Sequence, residues 1–401
     1  MKIGLIRETK IPEDNRVALS PEQVYAMSMA FPTHSFAVQS SDIRAYHDED
    51  YAKLGIEVKE DMSDCDVLFG IKEPELATLM PDKHYFFFGH FAKMQEYNKP
   101  LLCALTERRV TFSDYEYLVD DGGHRVCAFG WWAGIVGVYY TLQCYGLRNG
   151  VFSLPKPDRH FTLEKLRGIL SSVRLPAVKL LITGNGRVSS GAQYILDQIG
   201  AVRLERREYL SCERVAHLSY CVATTEDLVV HKNGMKYDRE EFLQWPAHYA
   251  SDFKKWAAST DILLSCHFWD SNAPVYLDYE DLSNAENRIR VIGDVTCDIN
   301  GSIKSTVRPS THSNPFYDYN PMSRKEELPF SSNNNISVMA VDTCPNALAM
   351  DASTSFGEML IQNVIFPILE GHISDDPVIR RATILDRGQL TPAYKYLDTF
   401  L

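Results

Sequence analysis

Four polar side chains stand out against the apolar runs of the first third of this 401-residue sequence. Arg16 lies in Glu8-Thr-Lys-Ile-Pro-Glu-Asp-Asn-Arg-Val-Ala-Leu-Ser-Pro21, and Lys72 ends a run in Gly70-Ile-Lys-Glu-Pro74. His90 follows another run in Phe88-Gly-His-Phe91, and Arg125 precedes a glycine-studded apolar segment. Taken singly, Arg16, Lys72 and Arg125 read as surface charges and His90 as a hydrogen-bonded histidine near the core. As a set they offer chemistry. Histidine moves protons near neutral pH. A lysine in a dry cleft beside other cations has its pKa lowered and can share that work. Arginine presents a planar fork that fits a carboxylate.

A second constellation is Lys179-Leu-Leu-Ile-Thr-Gly-Asn-Gly-Arg-Val-Ser-Ser-Gly-Ala192, an apolar strand, a Gly-x-Gly turn and the start of a helix. Gly184 permits the tight turn and Gly186 lets a pyrophosphate approach the backbone. The helix beginning at Arg187 and Val188 offers unpaired N–H groups and its positive dipole end to the phosphates. Strand before and helix after are the context that separates a dinucleotide site from a chance Gly-x-Gly. Ser189 occupies the third-glycine position and Gly191 comes two residues later, so the helix is expected to sit slightly farther from its strand. Glu205, in Val202-Arg-Leu-Glu-Arg-Arg207, is the acidic residue placed to hold the ribose hydroxyls of NAD. Arg206 and Arg207 follow it, as a solvated charge run or as a seat for the 2′-phosphate of NADP. NAD is favoured and NADP stays open.

Strands alternating with helices must position these groups. Lys2 to Ile6, Ser35 to Gln39, Asp66 to Lys72 and Tyr85 to Phe88 read as strands, and Ser20-Pro21-Glu22 opens a helix. Val126 to Tyr140, apolar nearly all round, reads as a buried helix carrying the chain from one domain to the next, with glycines that admit close neighbours. Gly150 to Pro176 is expected to run over the surface. A second βαβ pattern begins at Val178 and includes strands at Thr260 to Ser265 and Arg290 to Val295, with Val229 to Tyr249 as a polar excursion. Pro309 to Asn335 reads as loop, Ile336 to Val341 as strand, and Ala347 to Leu369 as the first of several tail helices returning to the first domain. The expected fold is α/β, two Rossmann-like domains with parallel sheets and the active-site cleft between them. The substrate and catalytic domain takes residues 1–135 plus about 340–401, and the dinucleotide domain about 136–339.

Composition limits the partners. Hydrophobic residues are 45% and charged residues 23%, enough for large cores at about 100–200 residues per domain. A net charge of -12 argues against nucleic acid, which needs clustered Lys and Arg. No apolar run approaches the roughly 20 residues that span a bilayer, and the first residues lack a signal-peptide core. Nine cysteines without metal-type spacing suggest no metal site; they fit mostly buried thiols in a reducing compartment, with the cytoplasm as default.

The blocks ETK…NRVALSP, GIKEP, FFGH, RVCAFGWWAG, GNGRVSSGA and DVTCDINGS resemble, in the same order, those of the alanine dehydrogenase/saccharopine dehydrogenase superfamily. RVCAFGWWAG and the VDTCPNALAMDAS segment look closest to lysine-forming saccharopine dehydrogenase. The resemblance implies Lys72 and His90 as the catalytic pair and Arg16 and Arg125 as ligands of substrate carboxylates. Asp298 would sit near the nicotinamide, and Asp342 on the cofactor side. It implies an NAD(P)-dependent oxidoreductase of a C–N bond, with small amino acids and 2-oxo acids as partners and a monomer or homo-oligomer as the assembly. Alanine dehydrogenase, an opine-type imine reductase and a non-catalytic dinucleotide-binding sensor are the rival readings. The polar stretch Tyr209 to Trp256 is longer than the resemblance predicts.

Overall fold

The computed structural model of the chain describes residues 1–91, 94 and 96–401. They form two units, Met1–Phe129 with Leu348–Leu401, and Gly130–Ala347.

In the first unit the opening run forms β1 (Lys2–Leu5), followed by β2 (Ser35–Gln39), β3 (Glu57–Lys59), β4 (Val67–Phe69), β5 (His84–Phe87) and β6 (Thr111–Asp114). They pair in parallel in the order β3-β2-β1-β4-β5-β6, so the chain reverses direction across the sheet at β1/β4. β4 and β5 are buried apolar runs, as strands covered on both faces must be. The helix Pro21–Ala30 starts at a capping box in which Ser20 and Gln23 satisfy each other's backbone N–H.

The second unit opens with a twenty-residue helix, Gly130–Asn149, buried along most of its length. It begins later and runs farther than the apolar segment alone suggests, because Val126 forms a bridge-like turn back to Leu118 instead of joining the helix. A further helix, Leu163–Ser172, lies in the stretch read as surface chain; Thr162 caps it, and Leu166 and Leu170 are buried. The strands are β7 (Lys179–Thr183), β8 (Val202–Arg203), β9 (Ser219–Ala223), the β10 (Val229–His231) and β11 (Tyr249–Ser251) pair, β12 (Ile262–Ser265), β13 (Val291–Asp294), β14 (Phe316–Asn320), β15 (Lys325–Glu327) and β16 (Ile336–Met339). The main sheet has the order β15-β14-β16-β13-β12-β7-β9-β8, and β14 pairs antiparallel with both of its neighbours, β16 and β15. Two strands therefore replace the expected loop between Pro309 and Asn335. Phe316, Tyr317 and Tyr319 are buried there, and a strand lying between β15 and β16 gives their rings a core to enter.

The tail returns to the first unit. The helix Ala349–Leu360 continues through a π turn, Ile361–Ile365, to Leu369. The tail then contributes β17 (Thr383–Asp386) and β18 (Gln389–Leu390), which extend the sheet beyond β6 in antiparallel fashion. Both sheets are thus dominated by parallel pairs but carry antiparallel edges.

Candidate functional site

Lys72 emerges just past the C-terminal end of β4. Glu8, just past the end of the neighbouring β1, accepts the backbone N–H groups of Ile71 at 2.6 Å and Lys72 at 2.7 Å. This clamp sets the turn that presents the lysine. Burial, then the charge of Asp14, pushes the Glu8 carboxyl above its usual range. Asp14 is equally buried. Burial alone would raise it too, but Arg16 beside it, with help from Lys72, holds it low. Arg16 Nε donates to Asp14 Oδ1 at 2.8 Å, and its Nη2 pairs with Oδ2. The guanidinium also lies over the Phe129 ring, 4.3 Å from its centre. One side of the Arg16 fork is therefore already given to a carboxylate of the protein itself. The following Val17 N–H donates to Ser353 Oγ in the tail helix, which pins the Arg16 segment in place.

His90 follows β5 in a left-handed conformation with φ of 54°. A non-glycine residue held there is strained, and its surroundings must hold it. They do so from several sides. Gly89 donates its N–H to Asp114 Oδ2 at 3.2 Å, Asn98 donates to the His90 carbonyl at 3.2 Å, and the ring lies parallel to Phe88. A side chain at position 89 would come within 2.5 Å of the Phe91 ring. His90 Nδ1 lies 3.4 Å from Glu116 Oε1, and Arg125 Nη2 lies 3.5 Å from the same oxygen. Burial, then the neighbouring Glu116 charge, pushes the Asp114 carboxyl up to about 7. The structure thus brings His90 and Arg125 onto one carboxylate, and Lys72 and Arg16 onto the Glu8–Asp14 pair. Glu8, Asp114 and Glu116 escaped sequence reasoning. Only Glu8, at the end of a strand in the ETK block, carried a positional signal.

In the second unit Gly184 has φ of 87°, and a Cβ there would lie 2.7 Å from His267 Cα. Gly186 is the N-cap of the helix Arg187–Gln198, and nothing lies within 4 Å of where its Cβ would be. That open space over a helix N-terminus fits the pyrophosphate of a dinucleotide. Ser189 is fully buried, its Oγ accepting from Gln193 at 3.1 Å. The close approach expected of a third glycine is made by Gly191, and toward a helix instead of the strand. A Cβ on Gly191 would lie 1.9 Å from the Trp131 carbonyl, and one on Gly134 equally near the Val188 carbonyl. The glycines of Gly130–Asn149 therefore let two backbones cross.

Glu205 lines a cavity of about 430 Å³ together with Asn185, Arg203, Arg206 and Thr224. Its strand does not neighbour β7. β9 lies between β7 and β8, and Gly184 donates its N–H to Ala223 at the end of β9. Thr224, not Glu205, consequently follows the strand adjacent to the glycine turn. Arg206 Nε is 3.1 Å from Asp227 Oδ2, and the same Asp227 oxygen accepts from Thr224.

Asp298 sits in the turn after β13, between Cys297 and Asn300, both with φ of 53°. Asp342 follows β16 and is exposed. Burial, then charges that include Asp294, Asp342 and Asp298, pushes the Cys297 thiol far up. Asp294 ends β13 and accepts from Thr296 Oγ1 at 2.6 Å and Thr306 Oγ1 at 2.5 Å. His267 ties this turn to the glycine strand: Nδ1 is 2.7 Å from Thr183 Oγ1 and Nε2 is 2.8 Å from Ser302 Oγ. Burial lowers its pKa to about 3, so it is a neutral strut.

The fold agrees with what the chain is similar to. Residues 4–136 match the alanine dehydrogenase/PNT N-terminal domain. The chain is 30% identical to the alpha-aminoadipic semialdehyde synthase of Arabidopsis thaliana over 98% of its own length, and spans 41% of that protein. It is 26% identical to the lysine-forming, NAD(+)-linked saccharopine dehydrogenase of Neurospora crassa over 90% of each chain. In fold it is similar to an L-alanine dehydrogenase, with a TM-score of 0.68 at 18% identity, covering 100% of this chain and 99% of the other. The resemblance to the alanine dehydrogenase/saccharopine dehydrogenase superfamily therefore extends from the quoted blocks to the whole chain. No helix among the described residues is long and apolar enough to cross a membrane.

Proposed function

We propose that the chain is an NAD(P)-dependent dehydrogenase of a C–N bond. Its leading reaction is saccharopine, NAD⁺ and water to lysine, 2-oxoglutarate, NADH and a proton, or the reverse. The observation that carries this reading is the placement of Lys72 and His90 just past the ends of adjacent parallel strands, beside Glu8 and Glu116, in a chain that also holds an open glycine cradle. A bare dinucleotide binder needs the cradle and none of the rest.

The dinucleotide, when bound, supplies the hydride acceptor. Gly184, Gly186 and the N–H groups of Arg187 and Val188 would hold its phosphates, with Glu205 at the ribose and Asp298 and Asp342 toward the nicotinamide. The chain's own groups handle protons and carboxylates. A secondary ammonium must lose a proton before its α-hydrogen can leave as hydride. The imine so formed takes up water at carbon, and the adduct then breaks its C–N bond as the amine nitrogen gains a proton. Lys72 and His90 share these transfers. Glu116 orients His90 through Nδ1, leaving Nε2 for substrate or water. Arg125, with a side chain 41% exposed and Glu116 beside it, would meet a substrate carboxylate, whereas Arg16 is buried against Asp14. Arg16 therefore contributes field and shape as much as a fork. Glu73 Oε1 is buried without a hydrogen-bond partner among the described residues, an acceptor fit for a substrate amine.

The test is a steady-state assay with NADH or NADPH, pairing lysine with 2-oxoglutarate and, separately, ammonia with pyruvate. Turnover of the first pair is expected. Turnover of the second alone would move the assignment to alanine, and none of either would leave a binder.

A further inference from the structure

The first unit carries a cavity of about 570 Å³ at the end of its sheet away from Lys72 and His90. Those residues follow the C-terminal ends of β4 and β5. The cavity instead takes in His84 and Thr111, which open β5 and β6, and it is walled by the tail. Its size falls within the range of about 300–1,000 Å³ typical of small-molecule sites. Ile373, Pro392 and Ala393 give it an apolar side.

Its cations divide into two kinds. Arg381 is tied away, its Nε donating to the Val119 carbonyl at 3.0 Å and its Nη1 3.1 Å from Asp121. Arg380 and Arg387 are exposed, and neither guanidinium has a hydrogen bond or ion pair among the described residues. Asp386, the carboxylate among the lining residues, accepts from Thr111 Oγ1 at 3.4 Å. Arg387 occupies an unusual place. It has φ of 47° and precedes Gly388 with φ of 78°, in the two-residue turn that joins β17 to β18. Such turns favour Asn, Asp or Gly at that position, so an arginine there is held at a conformational cost.

The floor has a defined polarity. Thr383 Oγ1 gives its proton to the Ile379 carbonyl at 2.8 Å, so Ser113 Oγ, 2.9 Å away, must donate to Thr383. His84 Nε2, 2.8 Å from Ser113 Oγ, must then donate to Ser113. The ring is neutral, since burial lowers its pKa to about 3. Its Nδ1 is therefore a bare acceptor.

We propose that this cavity binds a small amphiphilic organic anion, its acidic head between Arg380 and Arg387 and its apolar body against Ile373, Pro392 and Ala393. A ligand N–H or O–H meets His84 Nδ1. The site is separate from the proposed catalytic chemistry and does not rest on it.

Phenyl phosphate is a suitable probe, with inorganic phosphate as the head alone. Calorimetry on the full chain should show saturable one-to-one binding of phenyl phosphate and at least tenfold weaker binding of inorganic phosphate. The Arg380→Gln/Arg387→Asn double variant should bind phenyl phosphate at least tenfold more weakly. Asn suits the turn, so this variant keeps its fold, and circular dichroism verifies that. Ile373→Asp tests the apolar wall independently and should weaken binding to a similar degree. Absence of saturable binding, or parental affinity in either variant, overturns the proposal.

Discussion

Glu116 Oε1 lies 3.4 Å from His90 Nδ1, which sets a carboxylate against that side of the imidazole. A carboxylate on Nδ1 holds the proton there and keeps Nε2 free to exchange one with substrate. Glu116→Gln keeps the shape but loses the charge. Hydrogen bonds to charged groups contribute about 1.5–3 kcal/mol, so kcat/KM should fall by about 10- to 100-fold. NADH affinity, read by fluorescence, should stay within about twofold of the parent. An equal loss in both quantities would show that Glu116 shapes the fold and not the proton transfer.

Lys72→Met and His90→Gln remove the transferring groups themselves. General acid–base residues contribute about 10²- to 10⁴-fold, and each variant should lose turnover on that scale with dinucleotide binding nearly intact. Parental turnover in either one removes that residue from the mechanism.

Gly186 and Gly191 make opposite demands. A side chain at 186 meets open space, so Gly186→Val should fold and melt near the parent while binding NADH much more weakly. A side chain at 191 meets the Trp131 carbonyl at 1.9 Å. Gly191→Ala should therefore lose stability by about 1–3 kcal/mol through overpacking. Thermal melts and NADH titrations on the pair check both halves, and a swapped pattern would misplace the cradle.

Glu205 reaches the 430 Å³ cavity from the end of β8, one strand farther out than the strand beside the glycine turn. If it receives the ribose, Glu205→Ala should lower the ratio of NADH to NADPH affinity by about tenfold, since a lost carboxylate stops repelling a 2′-phosphate beside Arg203 and Arg206. An unchanged ratio transfers the task to Thr224.

His267 predicts a pH dependence of stability. Its folded pKa of about 3 lies below the ordinary value of 6.5. Between those values the unfolded chain binds a proton that the folded one does not. The stabilisation is thus complete above about 6.5 and is lost as pH falls toward 3, by up to about 1.4 kcal/mol per pH unit. His84 behaves in the same sense in the first unit. Melts from pH 7 to pH 4 should show a shallower decline for His267→Gln than for the parent. Parallel curves would mean that the folded ring takes the proton.

Much of this was legible in the sequence where a local pattern carries the information. β1, β2, β12 and β13 are apolar runs bounded by turn residues, and the glycine turn sits between a strand and a helix as its spacing says. Lys72 and His90 could be read because each follows such a run. Glu116 and His267 could not, because their partners come from elsewhere in the chain and pairing leaves no local periodicity. The same reason hid the position of β8. Its two residues are exposed, and only contact with β9 places them at the edge. β14 was masked by the Ser, Asn and Pro around it, although Phe316, Tyr317 and Tyr319 already marked it as fit for a sheet.

The first unit draws on both ends of the chain, whereas the second is one continuous segment. During synthesis the second unit can complete its sheet while the ribosome is still making the tail. The first must wait, with the β6 edge unpaired until β17 arrives. An uncovered strand edge is a template for the wrong partner. Until residues 383–386 pair with it, the β6 edge is the part of the first sheet open to a wrong partner.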